Sequence, residues 1–171
     1  MKITKATEYA LRAISHLAVE PDRVRSAPAL SRDTGIPGRF LAKICSHLVA
    51  AGLLTSFPGA RGGFQLARPP RRISVWEVVS AVEDDPRLVE CIGPGGECEE
   101  IDSCGLRTVW TRAQKAMEAE LERTTLDEVV KLTKALQNWP ATATVEGGSA
   151  LPPGDAAGRG RPAPPQEAVD R

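Results

Sequence analysis

The 171-residue sequence predicts a mainly α fold: a winged helix-turn-helix domain with a two-stranded wing, a cysteine loop and a long dimerisation helix. Three observations carry this. Three helical segments precede a short hairpin, charge divides unevenly along the chain, and three cysteines gather in one weakly periodic stretch. The expected organisation is a winged helix-turn-helix domain over 1–83, a cysteine loop over 84–104, the long helix and a C-terminal helix over 105–139, and a disordered tail over 140–171.

The first helix is expected from about Thr4 to Val19, because Tyr9, Ala13 and Leu17 recur with Ala10, Ile14 and Ala18 at helical spacing. Pro21 and Asp22 end it. A short helix follows over about Ala27 to Thr34 and stops at Gly35. Pro37 then lies near the first turn of a third helix reaching Ala51. Its buried stripe is expected to be Phe40, Leu41, Ile44, Cys45 and Leu48, and Gly52 with Leu53 reads as its C-terminal cap. Two extended pieces, near Leu53–Phe57 and Phe64–Ala67, flank a turn-rich loop bearing Arg61, which predicts a small hairpin. Ser74 with Glu77 is a capping-box signature opening a fourth helix. A long helix over about Leu106 to Glu122 carries a seam of Leu106, Val109, Trp110, Ala113, Met117 and Leu121, either a dimer surface or intrachain core. Thr125 with Glu128 caps a last helix, on which Leu126, Val129, Val130, Thr133 and Leu136 share a face. The tail from Pro140 is dominated by Pro, Gly and Ala and cannot bury enough surface to offset the entropy of ordering.

Net charge is zero overall, but residues 1–75 carry +8, residues 76–139 carry −7 and residues 140–171 carry −1. A basic front half can face a polyanion, and an acidic rear half is not drawn to one. No apolar run reaches about 18 residues, so no membrane span is expected. The N-terminus shows no signal-peptide pattern, so the protein is expected in the cytoplasm, where clustered cysteines read as metal ligands or redox sensors and not as disulfides.

A third helix fits the width of the DNA major groove. Arg39, Lys43, Ser46 and His47 lie on the face away from its apolar stripe and are the candidate base and phosphate contacts. Arg61 at the wing tip is the candidate phosphate or minor-groove contact, with Gly62 and Gly63 allowing close approach of the backbone. Solvated charges on a small helical domain are the plainer reading of any one of these residues.

Six residues separate Cys91 from Cys98 and five separate Cys98 from Cys104. This is neither the close pair of zinc fingers nor a ferredoxin run. Three soft thiolates in one loop still suit an iron–sulfur or zinc site, and a reversible thiol sensor or plain structural cysteines remain open. Cys45 falls on an apolar stripe and reads as a small core residue. No nucleophile–base pair is visible, and no phosphate loop beyond the wing glycines, so an enzyme is not expected.

Taken together, several stretches resemble the Rrf-type (IscR/NsrR-like) family of winged helix-turn-helix iron–sulfur transcriptional regulators. They are Thr4 with Tyr9-Ala10-Leu11-Arg12-Ala13, Thr34-Gly35-Ile36-Pro37, Phe40-Leu41-Ala42-Lys43-Ile44, Ala51-Gly52-Leu53-Leu54, Gly59-Ala60-Arg61-Gly62-Gly63-Phe64, Ala81-Val82-Glu83 and the three cysteines. The resemblance spans about Met1 to Val130. It implies a homodimer on a double-stranded DNA operator, and a [4Fe-4S] or [2Fe-2S] cluster on Cys91, Cys98 and Cys104 plus one variable ligand. IscR-like members use a His shortly after the third Cys, where this chain has Arg107. NsrR-like members use a first-helix carboxylate from the partner subunit, where this chain has Glu8, one methylene longer than the usual aspartate. Some IscR-type proteins carry a base-reading Glu where this chain has Ala42, so no particular operator carries over. The function expected is a transcriptional regulator, with repression as the expected sense, responding to redox, nitric oxide or iron–sulfur status. The alternative is a regulator of the same fold without a cluster, responding to thiol oxidation, a small molecule or a protein partner.

Overall fold

The structure is a computed structural model that describes residues 3–59, 61–93 and 103–137. Cys98 and the segment from 138 onward, with the expected disordered tail, lie outside the described residues. The chain divides into a unit of Met1–Lys134 and a unit of Ala135–Arg171. The first unit holds every element below, up to the last residues of the final helix.

Helix α1 spans Lys5–Val19 and opens at Thr4, whose hydroxyl accepts from the Thr7 amide at 3.3 Å. Its buried face is Ala10, Ala13, Ile14, Leu17 and Ala18, all in the stripe expected from the spacing, whereas Tyr9 of that stripe is only half-buried. Helix α2, Ala27–Thr34, starts at Ser26 and ends at Gly35. Helix α3, Gly38–Ala50, turns Leu41, Ile44, Cys45 and Leu48 inward. The expected stripe also included Phe40, and here the structure differs: Phe40 is 45% exposed. At 100° per residue it lies roughly 90° from the centre of the buried set, on the flank that faces α1. After α3, Gly52 takes φ +68, and the Leu53 amide returns to the Leu48 carbonyl at 2.9 Å, which buries Leu53.

Strands β1, Leu54–Phe57, and β2, Gly63–Leu66, pair antiparallel with Leu54 opposite Leu66 and Phe57 opposite Gly63. The hairpin is anchored by Arg25, which exchanges two backbone hydrogen bonds with Phe64 at 2.9 Å each. Helix α4, Val75–Ser80, has a complete capping box of Ser74 and Glu77. Helix α5 spans Gly105–Arg123 and helix α6 spans Leu126–Gln137.

The corner between α5 and α6 returns to the core formed by α1 to α4. The Val75 amide donates to Thr124 and the Leu126 amide to Ile73, both at 2.9 Å, and Leu126 is fully buried in the same core as Ile14, Leu48 and Ile73. Burying one such Leu contributes about 2 kcal/mol. Among the described residues no helix is long and apolar enough to cross a membrane.

Candidate nucleic-acid interface and cysteine centre

The candidate DNA face of α3 is where the spacing places it. Arg39, Lys43, Ser46 and His47 are all exposed, while Leu41, Ile44, Cys45 and Leu48 hold the opposite face in the core. Ser46 donates to the Ala42 carbonyl at 3.0 Å, which leaves its oxygen lone pairs outward. Arg39 lies over the Phe40 ring at 4.8 Å, so its guanidinium is steered along the helix flank. Burial pushes the Cys45 thiol up to about 12, and it is inert packing within this helix.

The wing presents Arg61 exposed. Gly62 closes the turn by donating to the Gly59 carbonyl at 2.9 Å. A side chain on either wing glycine would collide with backbone: a Cβ on Gly62 would lie 2.1 Å from the Phe57 oxygen, and one on Gly63 would lie 2.1 Å from the Arg25 oxygen. The glycines therefore serve the packing of the hairpin on itself and on Arg25, beyond the approach to DNA for which the sequence suggests them. The side chain of Arg25 is itself fixed by Glu20 and lies 3.6 Å from Asp33.

Two of the three loop cysteines are described, and the structure brings both to the head of α5. Cys104 is the residue before the helix, at the positive end of its dipole, where an anionic group is favoured. Cys91 sits in a short 3-10 turn, Glu90–Ile92, that packs on α5. The Arg107 guanidinium donates to the Cys91 carbonyl at 3.2 Å. At the position where a ligating His is absent, this chain therefore has a residue that pins the loop to the helix. Both thiols are free and half-buried. No group of three or more His, Cys, Asp or Glu side chains converges among the described residues, and Cys98 lies outside them. The donor chemistry of two reachable thiols fits a soft metal group.

The loop has a second anchor, which reading the sequence misses. Gln114 is nearly fully buried on α5; its carbonyl accepts from the Leu88 amide at 2.8 Å and its amide donates to the Pro86 carbonyl at 3.1 Å. Its position four residues after Trp110, beside the apolar seam, is the one sequence hint. The seam itself is open to solvent at its head, with Leu106 66%, Val109 55% and Trp110 41% exposed, so these residues are not intrachain core.

Glu8 lies on α1 and is 40% exposed at its side chain. It is held by Lys5 at 2.6 Å and Arg12 at 2.8 Å. The Lys5 hydrogen bond and the nearby cations keep its carboxyl below the usual glutamate range.

Another carboxylate, not singled out by spacing, grips the start of the same helix. Glu83 accepts from the Thr4 amide at 3.1 Å, from the Thr4 hydroxyl at 2.7 Å and from the Thr7 hydroxyl. Partial burial pushes its carboxyl up, and the hydrogen bonds from Thr7 and Thr4 outweigh this and leave it below the usual glutamate value. Glu83 immediately precedes the loop that carries Cys91. One end of the loop is thus fastened to α1 and the middle to α5.

Comparison with known proteins identifies the fold and the family. Residues 3–132 match the family Rrf2, described as an iron-dependent transcriptional regulator. The chain is 35% identical over 132 residues to Protein aau3 of Rhizobium meliloti, covering 77% of this chain and 86% of that protein. It is 33% identical over 133 residues to the transcriptional regulator NsrR of Bacillus subtilis, covering 77% and 91%. Among solved structures, CymR of B. subtilis, a global cysteine regulator, superposes with a TM-score of 0.66 at 25% identity, covering 77% of this chain and 97% of that one. IscR of T. potens superposes with a TM-score of 0.65 at 26% identity, covering 80% and 91%.

Proposed function

The chain belongs to the Rrf2 family of DNA-binding transcriptional regulators, and on that premise we propose that it works as a homodimer on an operator in double-stranded DNA, as a repressor whose grip responds to redox, nitric oxide or iron–sulfur status at Cys91, Cys98 and Cys104. The observation that supports this most is the placement of Cys91 and Cys104 together at the head of α5, beside an exposed apolar seam suited to a second copy. The seam is a candidate interface because contiguous exposed apolar surface of this kind marks association. Arg39, Lys43, Ser46 and His47 would meet the major groove, and Arg61, backed by Gly62 and Gly63, the phosphates beside it.

The group this reading needs is an iron–sulfur cluster, [4Fe-4S] or [2Fe-2S], which when bound supplies a centre reactive to oxygen and nitric oxide. Cys91, Cys98 and Cys104 would hold it, with Glu8 of the partner subunit as the candidate fourth ligand. Ligation by Glu8 requires it to give up at least one of its bonds to Lys5 and Arg12. The chain's own residues would carry the signal onward. Arg107 and Gln114 hold the loop to α5, and Glu83 holds its start to the first turn of α1, where Tyr9 packs on Phe40 of α3 at 6.2 Å between ring centres. A shift of the loop then bears on the recognition helix through few intermediates.

The likeness to CymR favours a second reading, a regulator of the same fold without a cluster that responds to a small molecule or to thiol oxidation. Anaerobic purification with absorption spectra and iron and sulfide counts separates the two. About four of each per chain supports [4Fe-4S], and about two supports [2Fe-2S]. Colourless, iron-free protein rejects the first reading in favour of the second. An unchanged cluster spectrum and unchanged DNA binding in Glu8→Ala would remove Glu8 from the ligand set.

A further inference from the structure

A groove of about 430 Å³ runs between α1, α3 and the segment after α4. Its floor is apolar, built from Ala6, Tyr9, Phe40 and Ile44. The two rings meet at 56°, and each has a guanidinium near its face, Arg12 at 5.8 Å from Tyr9 and Arg39 at 4.8 Å from Phe40. On the rim stand Lys43, His47 and Asp84. Lys43 has no ion-pair partner among the described residues, and Lys5, also at the rim, is held by Glu8. The volume falls within the roughly 300–1,000 Å³ of small-molecule sites, and an apolar floor with a few converging polar groups is their usual make-up.

We propose that this groove binds a small planar aromatic anion, an aryl carboxylate or sulfonate, with its ring on Tyr9 and Phe40 and its anionic group on Lys43 and His47. The aromatic floor selects the ring, because offset and edge-to-face ring contacts add to simple burial. The ammonium of Lys43, which has no ion-pair partner among the described residues, selects the charge. Lys43 and His47 project from the recognition helix, so the bound anion and a DNA phosphate draw on the same donors. Filling the groove therefore weakens DNA binding, and DNA weakens ligand binding by the same factor. This deepens the second reading above, but binding to DNA-free protein is measured independently of it.

Full-length dimer is titrated by calorimetry with 1-naphthalenesulfonate and with neutral 1-naphthalenemethanol. Saturable binding of one sulfonate per chain is expected. Lys43→Gln should weaken the sulfonate about tenfold and the alcohol less than about twofold, the size of one charge-assisted hydrogen bond. Ala6→Trp, at an exposed position of the first turn of α1, should fill the groove and weaken both by at least about tenfold. Absence of saturable binding to the dimer overturns the proposal, including the case in which a second copy already covers the groove. Binding that Ala6→Trp leaves intact also overturns it, because the ligand then sits elsewhere. If the sulfonate binds as expected but leaves operator affinity unchanged, the shared role of Lys43 and His47 is rejected.

Discussion

Replacing Glu83 with Ala removes the carboxylate that joins the start of the cysteine loop to α1. Thr7 is fully buried, and its hydroxyl loses a charged acceptor; a hydrogen bond to a charged group is worth about 1.5–3 kcal/mol. The two bonds from Thr4 are at an exposed position, and each contributes about 0.5 kcal/mol after screening by solvent. The expected loss is about 3 kcal/mol, which for a unit of this size lowers Tm by roughly 10 °C. Glu83→Gln keeps an acceptor oxygen without the charge and should lose about half as much.

The pH dependence has a definite sign. The folded carboxyl titrates below the ordinary value of 4.5, so its contribution is fully present above that pH and is lost as pH falls through the lower folded value. The gap between wild type and Glu83→Ala should therefore be full at pH 7 and close progressively below about pH 4.5. Urea unfolding at matched protomer concentration measures it, since association shifts apparent stability. A loss under about 1 kcal/mol at pH 7, or a gap that stays constant into acid, refutes the clasp as a stabilising contact.

Three further outcomes are expected. Gly63→Ala places a methyl against the Arg25 carbonyl and should cost about 2 kcal/mol, seen as a lower Tm together with weaker operator binding in a gel-shift titration. Arg61→Ala and Arg39→Ala should each lower the slope of log affinity against log salt by about 1 if the side chain meets a phosphate, read by fluorescence anisotropy at several salt concentrations. Leu106→Asp places a charge in the exposed seam of α5 and should convert a dimer to a monomer in sedimentation while the helical circular dichroism persists, because Leu106 contributes nothing to the intrachain core.

Much of the fold is legible along the chain because it is set locally. Thr4, Ser26 and the Ser74–Glu77 box mark helix starts through bonds that span three residues, and the burial of Ile14, Leu17, Leu41 and Leu48 follows from helical spacing. The wing is legible because Gly59, Gly62 and Gly63 punctuate two short extended runs. Phe40 shows the limit of periodicity. A flank position can face core or solvent depending on the neighbouring helix, and here α1 offers it a tilted contact with the Tyr9 ring and leaves it open.

By itself, then, the sequence determined the helix order, the hairpin, the exposed basic face of α3 with Arg39 and Lys43, and the candidate thiols Cys91, Cys98 and Cys104, since each is written in residue types at short spacing. Only the tertiary structure decided that Arg107 and Gln114 hold the loop to α5, that Leu126 plugs the α5–α6 corner into the core of Ile14, Leu48 and Ile73, and that Glu83 grips Thr4 and Thr7. The physical reason is range. These contacts join residues 16 to 79 positions apart, or core positions contributed by different helices, and their partners are chosen by how packed elements meet.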